Sequence, residues 1–179
     1  QSSLFTIARR RILWLLILVL ANGLTTKVIA MNDQILKEIV LLAAFIPLLI
    51  GTGGNVGAQS STVVIRGLST QKLKSLGAIK AVVKEAITGA LLGVFMMLVV
   101  FPFAWWQGEG PLIASAVGIS LISITTLAAT TGAILPLLFD RMKLDPALMS
   151  SPFITTVTDI AGVFIYLSTA KWLLNSSLA

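Results

Sequence analysis

The chain has 179 residues, of which 56% are hydrophobic and 11% charged, with mean hydropathy +0.98 and a net charge of +6. Soluble domains carry roughly 25% charged residues, so this composition cannot furnish a water-exposed surface and describes an integral membrane protein. The lack of cysteine and histidine excludes disulfide frameworks, thiolate and imidazole metal sites, and Cys- or His-based catalysis. No enzyme is expected.

Period-two alternation is absent, so the spans are helices, and five can be drawn. The first runs from about Ile12 to Met31. Its leading stretch "ARRRILWLLILVLANG" has the layout of a signal peptide, but the apolar character continues through "LTTKVIAM", as a membrane span requires. Gln1 in place of an initiating Met points to a fragment or a processed product.

The second span runs from about Ile35 to Ile65 and contains "GTGGNVGAQSST". It is no phosphate loop, because no lysine follows a glycine and no strand precedes it. It is no dinucleotide fingerprint, because Val56 stands where the third glycine belongs. Gly53 and Gly57 are four apart, which suits close helix packing. Asn55 and Gln59 need a different explanation. With Gly51, Thr62 and Arg66 they fall on one helical face, and such a face should meet water or another helix.

The segment "STQKLKSLGAIKAVVKE" follows. Leu73, Leu76, Ile79 and Val83 approximate a stripe among lysines, as in an amphipathic segment on an anionic membrane surface. It lacks the interleaved aromatics of a nucleic-acid site, and no nucleic-acid partner is expected. The third span runs from about Ala81 to Trp106, with Gly89 and Gly93 again four apart. The fourth runs from about Pro111 to Phe139, and the fifth from about Ala147 to Leu174.

Span five carries a second polar stripe: Ser151, Thr155, Asp159, Gly162 and Tyr166. Asp159 is the acidic residue set deepest in any span, where a carboxylate costs about 2.5–3.5 kcal/mol on insertion scales. A structural Asp, protonated or bonded to neighbouring hydroxyls, is the plain reading; an ion-path or proton-relay residue is the functional one. Pro152 lacks an N–H and displaces the carbonyl four residues earlier, that of Leu148. Pro47 and Pro136 do the same to Ala43 and Gly132. Carboxylate, amide and carbonyl oxygens without nitrogen or sulfur ligands suit a hard cation; Mg²⁺, which sheds water reluctantly, would be held through its water shell. One Asp supplies a single negative charge, and a two-fold homodimer would supply two.

Loop charge sets the orientation. With the N-terminus in the cytoplasm, ten of the thirteen Lys and Arg residues lie inside, and Lys27, Lys37 and Lys171 outside. The C-terminus is then external. Trp105, Trp106 and Trp172 fall at headgroup level.

"PLLIGTGGNVGAQSSTVVIRGL" and "LPLLFDRMKLDPALMSSPFITTVTDIAGVFIYLSTA" together resemble the membrane domain of the MgtE family of magnesium channels. The resemblance spans nearly the whole chain. It implies an all-α bundle of five transmembrane helices per chain, a homodimer in the cell (bacterial inner) membrane, and a pore at the two-fold interface lined by spans two and five. It implies that Asp159 holds hydrated Mg²⁺, the transported ion. It places Asn55, Gln59, Leu148, Ser151 and Thr155 along the path, to which the span-five stripe adds Gly162, and Asp145 at the cytoplasmic mouth. Residues 1–11 would be the end of a cytosolic connecting segment and 12–179 the pore domain, without the family's cytosolic N-terminal and CBS sensor domains. A proton- or sodium-coupled transporter, with Asp159 as relay, is the alternative.

Overall fold

The computed structural model describes residues 4–70 and 77–177, which form helices joined by short turns. Helix α1 spans Leu4–Ala30, α2 Asp33–Glu38, α3 Val40–Ser69, α4 Ala78–Ala104, α5 Gly110–Arg141 and α6 Pro146–Ser177, with a π-helical turn, Trp105–Glu109, between α4 and α5. Among the described residues four helical stretches are long and apolar enough to cross a membrane: Val40–Ser69, Ala78–Gln107, Gly110–Arg141 and Ser150–Asn175. In α1 the corresponding apolar stretch is shorter, Leu18–Ala30.

The start of the second expected span differs from the sequence reading. Ile39 adopts φ −129°, ψ 82°, which breaks the chain into the six-residue α2 and the long α3. The break has a local logic. An Asp33–Lys37 ion pair supports the short turn, and the Ile39 N–H closes it by donating to the Ile35 carbonyl at 2.9 Å. Neither glycine nor proline marks the spot; the polar DQILKE that ends there is its trace in the sequence. Of the expected amphipathic stripe, Leu73 and Leu76 lie outside the described residues, and Ile79 and Val83 belong to the first turns of α4.

Helix α5 is the pillar of the bundle, packed on α3, α4 and α6. Small residues make this possible. A methyl at Gly57 would lie 2.5 Å from Ile154 Cγ2 on α6 and 3.1 Å from the Ala128 carbonyl oxygen on α5. One at Gly132 would strike the Gly57 carbonyl oxygen itself. Across α5, a methyl at Gly89 would come within 2.6 Å of Ala129 Cβ. The α5 threonines donate to their own helix, Thr125 to Leu121 O at 2.7 Å and Thr130 to Thr126 O at 2.7 Å, so their hydroxyls need no partner from the neighbours.

These contacts fix directions. Gly53 opposes Thr158 and Gly57 opposes Ile154, so α3 and α6 run antiparallel. Gly89 opposes Ala129 and Gly93 opposes Ile122, so α4 and α5 do likewise. Arg66, Lys80, Lys84, Arg141 and Lys143 therefore gather at one end of the bundle, the basic end. Towards the other end lies the larger apolar core, where Leu42, Phe45 and Leu49 of α3 meet Val117 and Leu121 of α5 and Val163, Tyr166 and Leu167 of α6.

At the basic end α5 stops in a helix-terminating turn. The Leu144 N–H donates to Phe139 O at 2.9 Å while Lys143 takes the left-handed φ of 59°. Helix α6 then starts at Pro146, with the Ala147 N–H donating to Asp145 Oδ1 at 2.9 Å. Asp145 thus caps the helix, and proline takes the first position, where a missing N–H costs nothing.

Candidate functional site: a polar face on α3 and α6

Helix α3 has two chemically distinct faces. Gly53, Val56, Gly57, Ser60, Ser61 and Val64 are buried against α5 and α6. Gly51, Asn55, Ala58, Gln59, Thr62 and Arg66 on the opposite side are exposed. The spacing argument for one amide-bearing face therefore holds in three dimensions. Thr62 donates to the Ala58 carbonyl at 2.9 Å, which leaves its oxygen lone pairs pointing away from the helix. No hydrogen bond from the Asn55 or Gln59 side chain to another described residue is present.

Helix α6 changes its buried side along its length. In the half near the basic end Ser150, Ile154 and Thr158 face inward; further on Gly162, Val163, Tyr166, Leu167 and Ala170 do. The first half consequently has two outward flanks. Phe153 packs on Phe139 of α5 with ring centroids 5.5 Å apart, which assigns the Phe153–Val157 flank to the α5 side. Ser151 and Thr155, both exposed, then lie on the flank towards α3, with the partly buried Asp159 one turn further along.

The glycine contacts also set the depths. With Gly53 level with Thr158 and Gly57 level with Ile154, Asn55 stands between the levels of Thr155 and Asp159, and Gln59 between those of Ser151 and Thr155. Carboxylate, amide, hydroxyl, amide and hydroxyl alternate down one polar strip. Thr155 Oγ1 donates to Pro152 O at 2.9 Å and Thr156 Oγ1 to the same oxygen at 2.9 Å. Hydroxyls committed as donors to the backbone present acceptor lone pairs outward, the polarity that suits a cation or the hydrogens of its water shell.

Other residues fall elsewhere. Gly162 is buried, its missing side chain facing Ile124 and Ile50 at 3.7 Å, and Tyr166 is wholly buried. The stripe drawn from Ser151 to Tyr166 thus leaves the outer surface after Asp159, because the helix exchanges its buried side there. Leu148 lies in the first turns of α6, and Pro152, four residues on, has no N–H with which to satisfy its carbonyl. Asp145 is exposed at the foot of the helix and keeps Oδ2 beyond its capping bond.

Two residues escaped the sequence reading. Thr158 is fully buried, donates to Ile154 O at 2.7 Å, and fills the space beside Gly53. Glu85 is 9% exposed on the α5 side of α4. The signal for Glu85 was available: it stands four residues before Gly89 and eight before Gly93, the small residues that carry the α4–α5 contact. Among the described residues no three acidic side chains come together.

Comparison with known proteins decides the family. The MgtE family model, described as a divalent cation transporter, matches residues 46–169, a stretch that runs from early α3 into α6. The chain belongs to the MgtE family. Proteins named magnesium transporter MgtE are similar to it: that of Thermus thermophilus is 39% identical over 93% of this chain, that of Bacillus subtilis 33% over 98%, and that of Enterococcus faecalis 34% over 92%. The chain spans 36–39% of the length of these three relatives. MgtE membership and four helices able to cross a membrane make it a multi-pass membrane protein of a transporter family, and not an enzyme.

Proposed function

We propose that this MgtE chain forms half of a channel for Mg²⁺, with a second copy of itself supplying the other half. Five helices cross the membrane in this reading, α1 included, with residues 1–11 cytosolic, the N-terminus inside and the C-terminus outside. The polar faces of α3 and α6 from the two copies enclose a watery path along the dimer axis. Asp159 from each copy attracts the hydrated dication. Asn55, Gln59, Ser151, Thr155 and the Leu148 carbonyl line the route inward, Asp145 stands at the mouth, and Gly162 backs the path from within the bundle.

One observation carries the proposal: amides and hydroxyls occupy an exposed face of two apolar, membrane-length helices, and no other described element covers them. Hydrocarbon cannot satisfy such groups, whereas water or a second protein can. Charge agrees with two copies, since two carboxylates balance one dication. A single Asp on this face, with no cluster of acids among the described residues, suits an ion that keeps its water rather than a dehydrating cage. The names of the similar proteins supply the ion.

The test is Mg²⁺ uptake into proteoliposomes, read with an internal indicator dye. Asp159→Ala is expected to lower uptake at least ~10-fold at equal reconstituted protein, the size of effect that one deeply placed charge has on a dication. Uptake equal to wild type overturns the role of Asp159. The rival, a proton- or sodium-coupled carrier, starts from the same carboxylate. It predicts that uptake stops when proton and sodium gradients are removed while the Mg²⁺ gradient stays; the channel continues.

A further inference from the structure

Helix α4 packs on α5 and turns the rest of its surface outward. Its exposed row is greasy: Ile79, Val83, Ile87, Leu91, Phe95 and Leu98, with Leu91 and Leu98 each 67% exposed. This is the opposite of the small and polar outer face of α3, and it is what acyl chains should meet. At the basic end the row is not smooth. A crevice of about 330 Å³ lies between α4 and α5, with Ile79, Val82 and Val83 on one wall, Leu137 and Leu138 on the other, and Arg141 at its rim. A second crevice of about 360 Å³ lies on the other side of the same ridge, walled by Ile79, Val83 and Ile87 and edged by Lys80, Lys84 and Thr88. Ile79 and Val83 belong to both, so the two grooves straddle one ridge.

The cations on the rims are unspent. None of Lys80, Lys84 and Arg141 has an ion-pair partner among the described residues, where Lys37–Asp33 is the pair present. The nearby acids do not cancel them: Asp140 is exposed beside Arg141 in sequence, and Glu85 is turned inward towards α5. An apolar double groove beneath three positive charges, at the level where a bundle leaves the membrane, matches one class of molecule. We propose that it binds an anionic diacyl glycerophospholipid, its two chains on either side of the Ile79–Val83 ridge and its phosphate held by Arg141, Lys80 and Lys84. Arginine can grip a phosphate with two N–H donors, and the lysine stems lie along the apolar wall while their ammonium groups reach the headgroup. The Lys and Arg distribution assigns this end to the cytoplasmic leaflet, where anionic lipids draw basic residues to the surface. The site is on the flank of the bundle away from Asp159.

The experiment measures which lipids the purified protein keeps. Wild type and K80Q/K84Q/R141Q are compared by native mass spectrometry after exposure to equal phosphatidylglycerol and phosphatidylcholine. Wild type is expected to retain phosphatidylglycerol preferentially, and the triple variant to lose that preference ~10-fold or more. An unchanged preference overturns the proposal, as does displacement of the lipid by millimolar inorganic phosphate, which marks a site for the free anion. A photo-crosslinking side chain in place of Ile79, which is 79% exposed and borders both crevices, provides the independent reading in native membranes. Adducts of phospholipid mass support the site. Adducts to protein, or adducts to zwitterionic lipid in proportion to its abundance, overturn it.

Discussion

Asn55 and Gln59 owe their place to what surrounds them rather than to their own bonds. Each is two residues, about half a turn, from a glycine that lets α3 sink against its neighbours, and each therefore projects from the opposite side, which the bundle leaves exposed. Because Asn55 is exposed and its side chain has no hydrogen bond to another described residue, Asn55→Leu should leave the melting temperature in detergent within the scatter of surface substitutions, about 0.5 kcal/mol. The same variant should lower Mg²⁺ uptake several-fold, since an apolar side chain at that depth removes a water-binding amide. Flux at the wild-type level with unchanged melting would remove Asn55 from the path. At this scale the sequence was informative where chemistry and periodicity agreed. The amide stripe, the hydroxyl pair Ser151 and Thr155, and the lone Asp159 were readable from spacing alone. Gly162 and Tyr166 were not, because a period of 3.6 extrapolates a face indefinitely, whereas a real helix meets different partners along its length. Residues 162–170 are claimed by the apolar core.

Among the elements, α6 departs from helix preference close to the polar face. Pro152 sits inside it, between the capping Asp145 and the deep Asp159. Restoring the N–H with Pro152→Ala should strengthen the helix, as proline costs about 3 kcal/mol in a helix interior, and should close off the Leu148 carbonyl. The expected result is a protein of equal or higher melting temperature with reduced flux per folded molecule. Unchanged flux means that this carbonyl takes no part. The α3–α5 contact gives a cleaner stability test. Gly132→Ala pushes a methyl into the Gly57 carbonyl, a backbone atom that cannot swing aside, whereas Gly54→Ala meets nothing within 4 Å. The first should destabilise by about 1–3 kcal/mol, as overpacking does, and the second should be neutral, both read by thermal melting in detergent. The second to fifth spans were legible to within a few residues because hydropathy defines them, whereas the apolar stretch of α1, Leu18–Ala30, is shorter than the expected Ile12–Met31. The break at Ile39 was not legible, since neither glycine nor proline stands there, and the polar DQILKE before it reads as the start of the same span.

At the level of the whole molecule, the bundle presents two kinds of outer surface. The α4 side is fit for lipid, and the α3–α6 side is not. A second copy meeting the latter is the proposal that accounts for both. The lack of native cysteine makes it directly testable, because any introduced pair reports alone. Thr155→Cys should form a disulfide-linked dimer in membranes on mild oxidation, and Leu91→Cys on the lipid-facing row should not. Monomers at Thr155 and at Asn55→Cys alike would place the polar face somewhere other than a two-fold axis. Neither the number of copies nor the orientation is written in hydropathy, which records only what each stretch avoids. Both depend on which surfaces meet and on loop charge.

The glycine contacts carry a mechanical consequence. With Gly57 wedged against Ile154 and the Ala128 carbonyl, and Gly132 against Gly57 in turn, the inner halves of α3, α5 and α6 have no clearance to slide past one another. They form a rigid block. If conduction is switched on and off between two copies, the switch has to tilt one block against its twin, while each block keeps its internal geometry.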